Sequence, residues 1–251
     1  MCLLITQTNN TPISEKKLKN ADENNPHGIG FTYSNGEKLI IEKFRNFSKF
    51  YARYIKALKT HGKKSDFLIH FRYSTHGTSD GVFNVHPFKV NNRLVFAHNG
   101  VISVKDDKKR SDTRVFNDTI LKQLPKNFLS NKATRELLGN FVSGSKLAFL
   151  DIDGNSTIIN ESAGHWDKGV WYSNDTYDYC GYAYTPTTYA TTYVFPKGSN
   201  TPKRITPKKK KINNLGSCSW CYGWGNVWKG VERCSGSPVQ LCSTCKPYNA
   251  G

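Results

Sequence analysis

Cys2 stands directly after the initiator methionine, and this position gives its side chain a specific chemistry. Methionine aminopeptidase removes Met1 when the next residue is small, so we expect a mature chain that begins with cysteine. The reference pKa is about 8 for an α-amine and about 8.5 for a thiol, so the two groups can exchange a proton near neutral pH. A thiolate is the reactive nucleophile, and here its base belongs to the same residue. Alternatively, Cys2 is a small buried residue of a strand that continues through Leu3 and Leu4.

Three further segments carry side chains suited to holding a substrate near such a nucleophile. Arg72 ends a hydrophobic stretch, where a guanidinium can bind a carboxylate through two hydrogen bonds or form a surface ion pair. The amide of Asn99 and the N–H of Gly100 can donate to a developing oxyanion, although Asn-Gly is also an ordinary turn sequence. Asp112, within a Ser-Asp-Thr sequence, either caps a helix or pairs with a ligand ammonium.

These segments occur in an order that resembles class II glutamine amidotransferase domains, members of the N-terminal-nucleophile (Ntn) hydrolases. The resemblance extends from residue 2 to about residue 195 and is strongest at Cys2, Arg72-Tyr73-Ser74-Thr75-His76-Gly77, His98-Asn99-Gly100 and Ser111-Asp112-Thr113. The resemblance implies a standalone domain of the bacterial or bacteriophage type. It also implies an α+β fold, a four-layer α/β/β/α sandwich.

The resemblance also implies a role for each matching residue. Cys2 attacks the side-chain amide of glutamine, and Asn99 with the N–H of Gly100 forms the oxyanion hole. Arg72 holds the α-carboxylate of the substrate and Asp112 its α-ammonium. Thr75 and His76 line the pocket that holds the side chain of glutamine. A glutamyl thioester forms, ammonia leaves, and water then releases glutamate.

The sequence departs from the family at two points. His27 stands where the family often has an acid in an Asn-x-Asp-Gly-x-Gly pattern, so the contacts around the nucleophile differ. No synthase, synthetase or isomerase domain follows, so we expect the ammonia acceptor to be a partner enzyme.

Hydrophobic periodicity predicts strand pairs followed by helices, which favours α+β layers over a doubly wound sheet. The predicted strands are residues 27–33 and 38–41 (a hairpin), 66–73, 93–97, 147–152 and 157–160 (a second hairpin), and 169–173. The predicted helices are residues 47–58 and 111–124, the second opened by the Ser-Asp-Thr cap.

The C-terminus has the composition of a separate module. Residues 196–214 contain four consecutive lysines, three prolines and no acid, which is typical of a linker or an exposed basic arm. Residues 215–251 hold two C-x2-C pairs, a pattern typical of a zinc ribbon with one structural Zn²⁺ bound by Cys218, Cys221, Cys242 and Cys245. The alternative is a set of reduced thiols without metal.

Composition limits the cellular context and the partners. The chain has 251 residues and a net charge of +17, which favours anionic partners such as nucleic acid or simply gives a soluble surface. No apolar run is long enough to cross a bilayer and no secretory pattern is present, so we expect a cytoplasmic protein without membrane association.

The leading hypothesis is therefore a glutamine-hydrolysing amidotransferase with residues 2–195 as its catalytic domain. The basic linker and zinc ribbon would recruit an ammonia-acceptor enzyme or a nucleic acid. One alternative is an Ntn amidase that acts on another amide. Another is a non-catalytic protein that binds nucleic acid or protein through the ribbon and arm.

Overall fold

The computed structural model describes residues 2–8, 10–74, 81–104 and 109–178, together with the backbone of short strands between residues 182 and 242. The chain divides into two compact units, residues 1–179 and residues 180–251. Within the described residues, no helix is both long enough and apolar enough to cross a membrane. The predicted domain bounds 2–195, 196–214 and 215–251 stay a prediction.

The first unit contains two antiparallel sheets. The six strands of the first sheet, in spatial order, are β3 (Leu39–Phe44), β2 (Ile29–Ser34), β4 (Phe67–Phe71), β1 (Leu3–Gln7), β10 (Val170–Tyr172) and β9 (His165–Asp167). The four strands of the second sheet are β5 (Phe88–Asn91), β6 (Leu94–Asn99), β7 (Lys146–Asp151) and β8 (Ser156–Ile159). Strand β1 therefore lies in the interior of its sheet, between β4 and β10.

In the described part of the chain, four α-helices accompany the sheets: α1 (Glu15–Asn24), α2 (Phe47–His61), α3 (Asp112–Thr119) and α4 (Lys132–Phe141). Each helix begins after a Ser or Asn whose side chain accepts a hydrogen bond from the backbone N–H three residues on. Short 3-10 helices occupy Leu121–Gln123, Phe128–Ser130 and Glu161–Ala163.

Three apolar clusters show that the elements form four layers. The first cluster packs α1 and α2 on one face of the six-stranded sheet, through residues such as Phe31 and Phe50. The second packs α3 and α4 on the outer face of the four-stranded sheet, around Phe96 and Phe116. The third lies between the two sheets and includes Trp171. The order is helices, sheet, sheet, helices, as the α/β/β/α prediction requires.

The structure confirms the predicted hairpins and the helix in residues 47–58, with shifts of a few residues at their ends. The α-helix predicted over residues 111–124 is shorter, because α3 ends at Thr119 and a 3-10 turn follows. Helices α1 and α4 are additions to the predicted elements. Their buried side chains are few, Leu18 and Ala21 in α1 and Leu138 in α4, so only a small part of each helix packs into the core.

The second unit contains strands whose backbone is described. Strand β15 (Trp224–Glu232) pairs with β14 (Leu215–Ser217), β16 (Pro238–Cys242) and β11 (Tyr182–Ala183). A separate antiparallel pair joins β12 (Thr192–Val194) and β13 (Lys203–Ile205). Cys242 is the last residue of β16, opposite Val227. The other predicted zinc ligands, Cys218, Cys221 and Cys245, lie outside the described residues.

Candidate active site

Cys2 is placed at one end of the interior strand β1, which it directly precedes. Its Sγ donates to the carbonyl O of Tyr73 at 3.2 Å, and the N–H of Tyr73 donates back to Sγ at 3.2 Å. The side chain of Asn174 donates to the carbonyl O of Cys2 at 2.7 Å. The thiol is therefore held against the chain segment that leaves β4, and its carbonyl is held by the segment that leaves β10.

Arg72 lies in this segment, immediately after β4. It is buried, with 4% of its surface exposed, and one of its guanidinium nitrogens donates to Ser74 Oγ at 2.9 Å. The sequence prediction that Arg72 ends a buried strand is confirmed. Because Arg72 is buried beside Cys2, its permanent positive charge lies next to the thiol.

Asn99 is the last residue of β6, in the other sheet, and its side chain is linked to strand β1 through the hydroxyl of Ser173. Asn99 Nδ2 donates to Ser173 Oγ at 2.6 Å, and the same Oγ accepts from the N–H of Leu4 at 2.9 Å. Ser173 therefore connects the two sheets, and its bond to β1 is at Leu4, two residues after Cys2. This hydroxyl was not among the predicted site residues, because only the register of β1, β6 and β10 shows that the three meet.

Gly100 follows Asn99 in a conformation that favours glycine. Its φ is +136°, and a Cβ there would lie 2.1 Å from Ser145 Oγ and 2.7 Å from Ser145 Cβ. Ser145 Oγ accepts from the N–H of Val101 at 3.1 Å and donates to the carbonyl O of the same residue at 3.0 Å. The turn is therefore fixed by close packing as well as by backbone geometry.

Asp112 begins α3, but it is not the cap of that helix. Ser111 is the N-cap, since its hydroxyl accepts from the N–H of Arg114 at 3.2 Å. The carboxylate of Asp112 instead accepts from the N–H of Ile102 at 2.8 Å and from the N–H of Thr113 at 2.7 Å. These bonds hold the carboxylate beside the Asn99-Gly100 turn and use only part of its capacity to accept hydrogen bonds.

A small cavity of about 20 Å³ joins these parts of the chain. Its lining consists of eight residues: Cys2, Arg72, His86, His98, Gly100, Ser111, Asp112 and Thr113. Four residues singled out in the sequence thus meet at one place. Asn99 is not in the lining and is linked to the site through Ser173. Thr75 and His76, predicted to line the substrate pocket, lie outside the described residues.

Three buried histidines lie at the cavity, His86 and His98 in its wall and His70 against His86, and the sequence prediction did not include them as a group. The rings of His70 and His86 lie 4.0 Å apart, and those of His86 and His98 lie 6.3 Å apart. His98 Nδ1 pairs with Thr113 Oγ1 at 2.8 Å. Burial lowers the pKa of His98 to about 4 and that of His70 and His86 well below the ordinary value, so all three are neutral at pH 7. Within the described residues, no group of three or more potential ligands is arranged to hold a metal ion.

The environment of Cys2 has opposing effects on its ionisation. Burial raises the pKa of the thiol, and the Asp112 carboxylate acts in the same direction. The N–H of Tyr73 and the guanidinium of Arg72 act against this rise because they favour the thiolate. Burial is the larger effect, so at neutral pH the thiol keeps its proton and needs a base in order to react.

Comparisons with known proteins give a distant likeness to solved structures. No protein-family model and no curated protein matches the chain. Among the solved structures that match is glutamine phosphoribosylpyrophosphate amidotransferase from B. subtilis, complexed with ADP and GMP, with a TM-score of 0.45 and 20% identity. The match covers 71% of this chain and 43% of that one, so this chain corresponds to less than half of that enzyme. A likeness this distant does not assign a function.

Proposed function

We propose that the chain hydrolyses the side-chain amide of glutamine and delivers ammonia to an acceptor. The observation that carries the proposal is the meeting of Cys2, Arg72, Gly100 and Asp112 around one cavity, although they are spread over residues 2–112. A thiol, a cation, a backbone N–H and a carboxylate are the groups needed to attack an amide while holding a free amino acid.

Substrate recognition uses the two charged side chains. Arg72 would bind the α-carboxylate, a role that suits a planar guanidinium with several donors. Asp112 would accept from the α-ammonium, since its carboxylate has capacity beyond the two backbone bonds that orient it. Thr75 and His76 would complete the pocket for the side chain of glutamine.

The chemical step begins when the sulfur of Cys2 attacks the amide carbon of the substrate. Because burial raises the thiol pKa, a base must remove the proton, and the neutral His86 and His98 are poor bases at their lowered pKa values. The α-amine of Cys2, set free by removal of Met1, is suited to this task, with a pKa of about 8. It would pass the proton to the leaving nitrogen as the C–N bond breaks.

The negative charge on the amide oxygen needs donors that are already in position. The N–H of Gly100 at the cavity wall and the second N–H of Asn99 Nδ2 would supply them. Loss of ammonia leaves a glutamyl thioester on Cys2, and water then attacks its carbonyl carbon, giving glutamate and restoring the thiol.

The C-terminal residues would serve recruitment. Residues 196–251 hold ten Lys or Arg and one acid, a charge of +9 that favours an acidic partner enzyme or a nucleic acid. We propose one structural Zn²⁺ bound by Cys218, Cys221, Cys242 and Cys245, because a module of about 40 residues or fewer usually needs such support. Four thiolates leave no open position on zinc, so its role would be to hold the fold of the module.

The test is an assay of glutamate and ammonia release from L-glutamine and from 4-carbamoylbutanoate, which lacks the α-ammonium. We expect hydrolysis of L-glutamine alone, and loss of that discrimination in Asp112→Ala. The variant Arg72→Ala should raise KM, whereas Arg93→Ala, which removes a surface partner of Asp153, should not. Equal hydrolysis of both amides would support the Ntn amidase alternative, and hydrolysis of neither would support the non-catalytic one.

A further inference from the structure

The imidazole of His27 continues the pairing of two strands beyond the point where their backbones separate. The ladder between β2 and β4 ends at the pair of Ile29 and Phe71. The N–H of His27 then donates to the carbonyl O of Arg72 at 2.9 Å, and the N–H of Arg72 donates to Gly28 at 2.8 Å. One step further, the N–H of Ser74 donates at 2.8 Å to Nδ1 of His27, so a ring nitrogen takes the place of a backbone acceptor.

The segment held in this way carries several parts of the candidate site. Its first residue, Arg72, donates to the hydroxyl of Ser74 at 2.9 Å. Its second residue, Tyr73, exchanges two hydrogen bonds with the thiol of Cys2. The ring of His27 lies 5.2 Å from the ring of Tyr73. The bond from Ser74 to His27 therefore orients both the proposed carboxylate ligand and the nucleophile.

This bond exists only while His27 is neutral. Nδ1 accepts from an N–H, so in the neutral ring the proton is on Nε2, and protonation would place a donor on Nδ1 facing the donor of Ser74. The charged groups that act on the ring are Arg72 and Arg45, and Arg45 also donates to the carbonyl O of His27 at 2.7 Å. Burial and these two cations lower the pKa of His27, which keeps the ring neutral at pH 7.

We propose that His27 is a pH-sensitive positioning residue, which when neutral holds residues 72–74 in the geometry that binds the substrate carboxylate and when protonated releases them. The proposal rests on the proposed glutaminase function. It gives a reason for histidine where the family often has an acid, since a carboxylate in that place would not be switched off by one proton in the same pH range.

The experiment compares the full chain with His27→Asn and His27→Ala between about pH 8 and about pH 5.5. Asparagine offers Oδ1 close to the position of Nδ1 and does not titrate. The wild type should show a KM for glutamine that rises on acidification towards a limit on the order of 10-fold, the effect of one lost hydrogen bond of about 1.4 kcal/mol. The rise at about pH 5.5 should be only part of this limit, because the pKa of His27 is lowered from its ordinary value. His27→Asn should keep a low KM throughout, and His27→Ala should have a high KM throughout.

Two controls separate this effect from others. His61→Asn changes a histidine of helix α2 that stacks on Tyr33, and it should keep the wild-type profile. Because His27→Asn retains the buried His98, acid destabilisation acts alike on it and on the wild type. A KM that rises equally in His27→Asn and the wild type would overturn the proposal, as would an unchanged KM in His27→Ala.

A second measurement does not depend on glutamine hydrolysis. Nitrogen-15 NMR of the full chain should show His27 with its proton on Nε2 at about pH 8, and the Ser74 amide should lose protection from hydrogen exchange as the ring titrates. In His27→Asn this protection should persist. If the wild type hydrolyses no glutamine but shows this behaviour, the glutaminase function is wrong and the positioning role of His27 stands. If Ser74 exchange does not follow the ring titration, the positioning role is wrong whatever the activity.

Discussion

The close packing of Gly100 against Ser145 makes Gly100→Ala an informative perturbation of the candidate site. An added Cβ would lie 2.1 Å from Ser145 Oγ, so Ser145 must move and give up its two hydrogen bonds to Val101. Those bonds are worth about 1 kcal/mol each, and a left-handed φ costs an L-residue a further 1–2 kcal/mol roughly. We therefore expect the free energy of unfolding to fall by about 3–4 kcal/mol.

Gly144, which directly precedes Ser145 in the chain and also has a positive φ, provides a control. Its φ is +78°, and a Cβ there would meet open space, so Gly144→Ala should lose only the backbone contribution of about 1–2 kcal/mol. The double variant Gly100→Ala with Ser145→Gly should be less destabilised than the sum of the two single variants by about 2 kcal/mol, because the Val101 bonds can be lost only once.

The assay is equilibrium unfolding of the full chain in urea, followed by tryptophan fluorescence. The difference between Gly100→Ala and Gly144→Ala contains the cost of the contact with Ser145 together with the larger backbone cost of a φ of +136° compared with +78°, and the double variant isolates the contact. Equal stability of these two variants, or strict additivity in the double variant, would show that Gly100 is not held by this contact and that the Asn99-Gly100 turn is less rigid than the structure indicates.

Three further predictions concern ionisation and metal binding. Alkylation of Cys2 by iodoacetamide at about pH 8 should be slower in Arg72→Ala, because this variant loses a group that lowers the thiol pKa. It should be faster in Asp112→Asn, because this variant loses a group that raises the thiol pKa. The opposite order of rates would contradict the electrostatic account. His98 should destabilise the fold in acid, because its pKa of about 4 when folded lies below the ordinary 6.5, so the unfolded chain binds more protons between these values. The contribution of His98 to the loss at about pH 5 is about 2 kcal/mol, so between about pH 7.5 and about pH 5 His98→Asn should lose less stability than the wild type by about that amount in thermal unfolding, while His70 and His86 still contribute. The full chain should contain one zinc per molecule by elemental analysis, and a chain ending near residue 193 should contain none yet keep glutaminase activity; zinc far below one per full chain would refute the metal site.

The sequence was sufficient to locate four of the eight residues that line the cavity, for a physical reason. Cys2, Arg72 and Gly100 each stand at the end of a hydrophobic stretch, and strand ends in packed sheets tend to meet at one edge. Asp112 was also identified, but the sequence left two roles for it, helix cap or partner of a ligand ammonium. In the structure the cap of this helix is Ser111.

Other parts of the site could not be predicted in this way. The bond between Ser173 and Asn99 depends on which strands of two different sheets face one another, and no local pattern contains that information. The bond from Ser74 to His27 depends on the register of β2 and β4. Helix α1 buries only two apolar side chains, so only a small part of its mostly polar sequence packs into the core.

Covalent labelling of Cys2, the proposed nucleophile, tests the central claim most directly. The wild-type chain, treated with a diazoketone analogue of glutamine, should lose its glutaminase activity as it gains one adduct per molecule. Intact mass and peptide mapping should show a chain without Met1 and place the adduct on the sulfur of Cys2, and excess L-glutamine should protect it. A chain that hydrolyses glutamine while Met1 is retained, or that carries the inactivating adduct on another residue, would contradict the account.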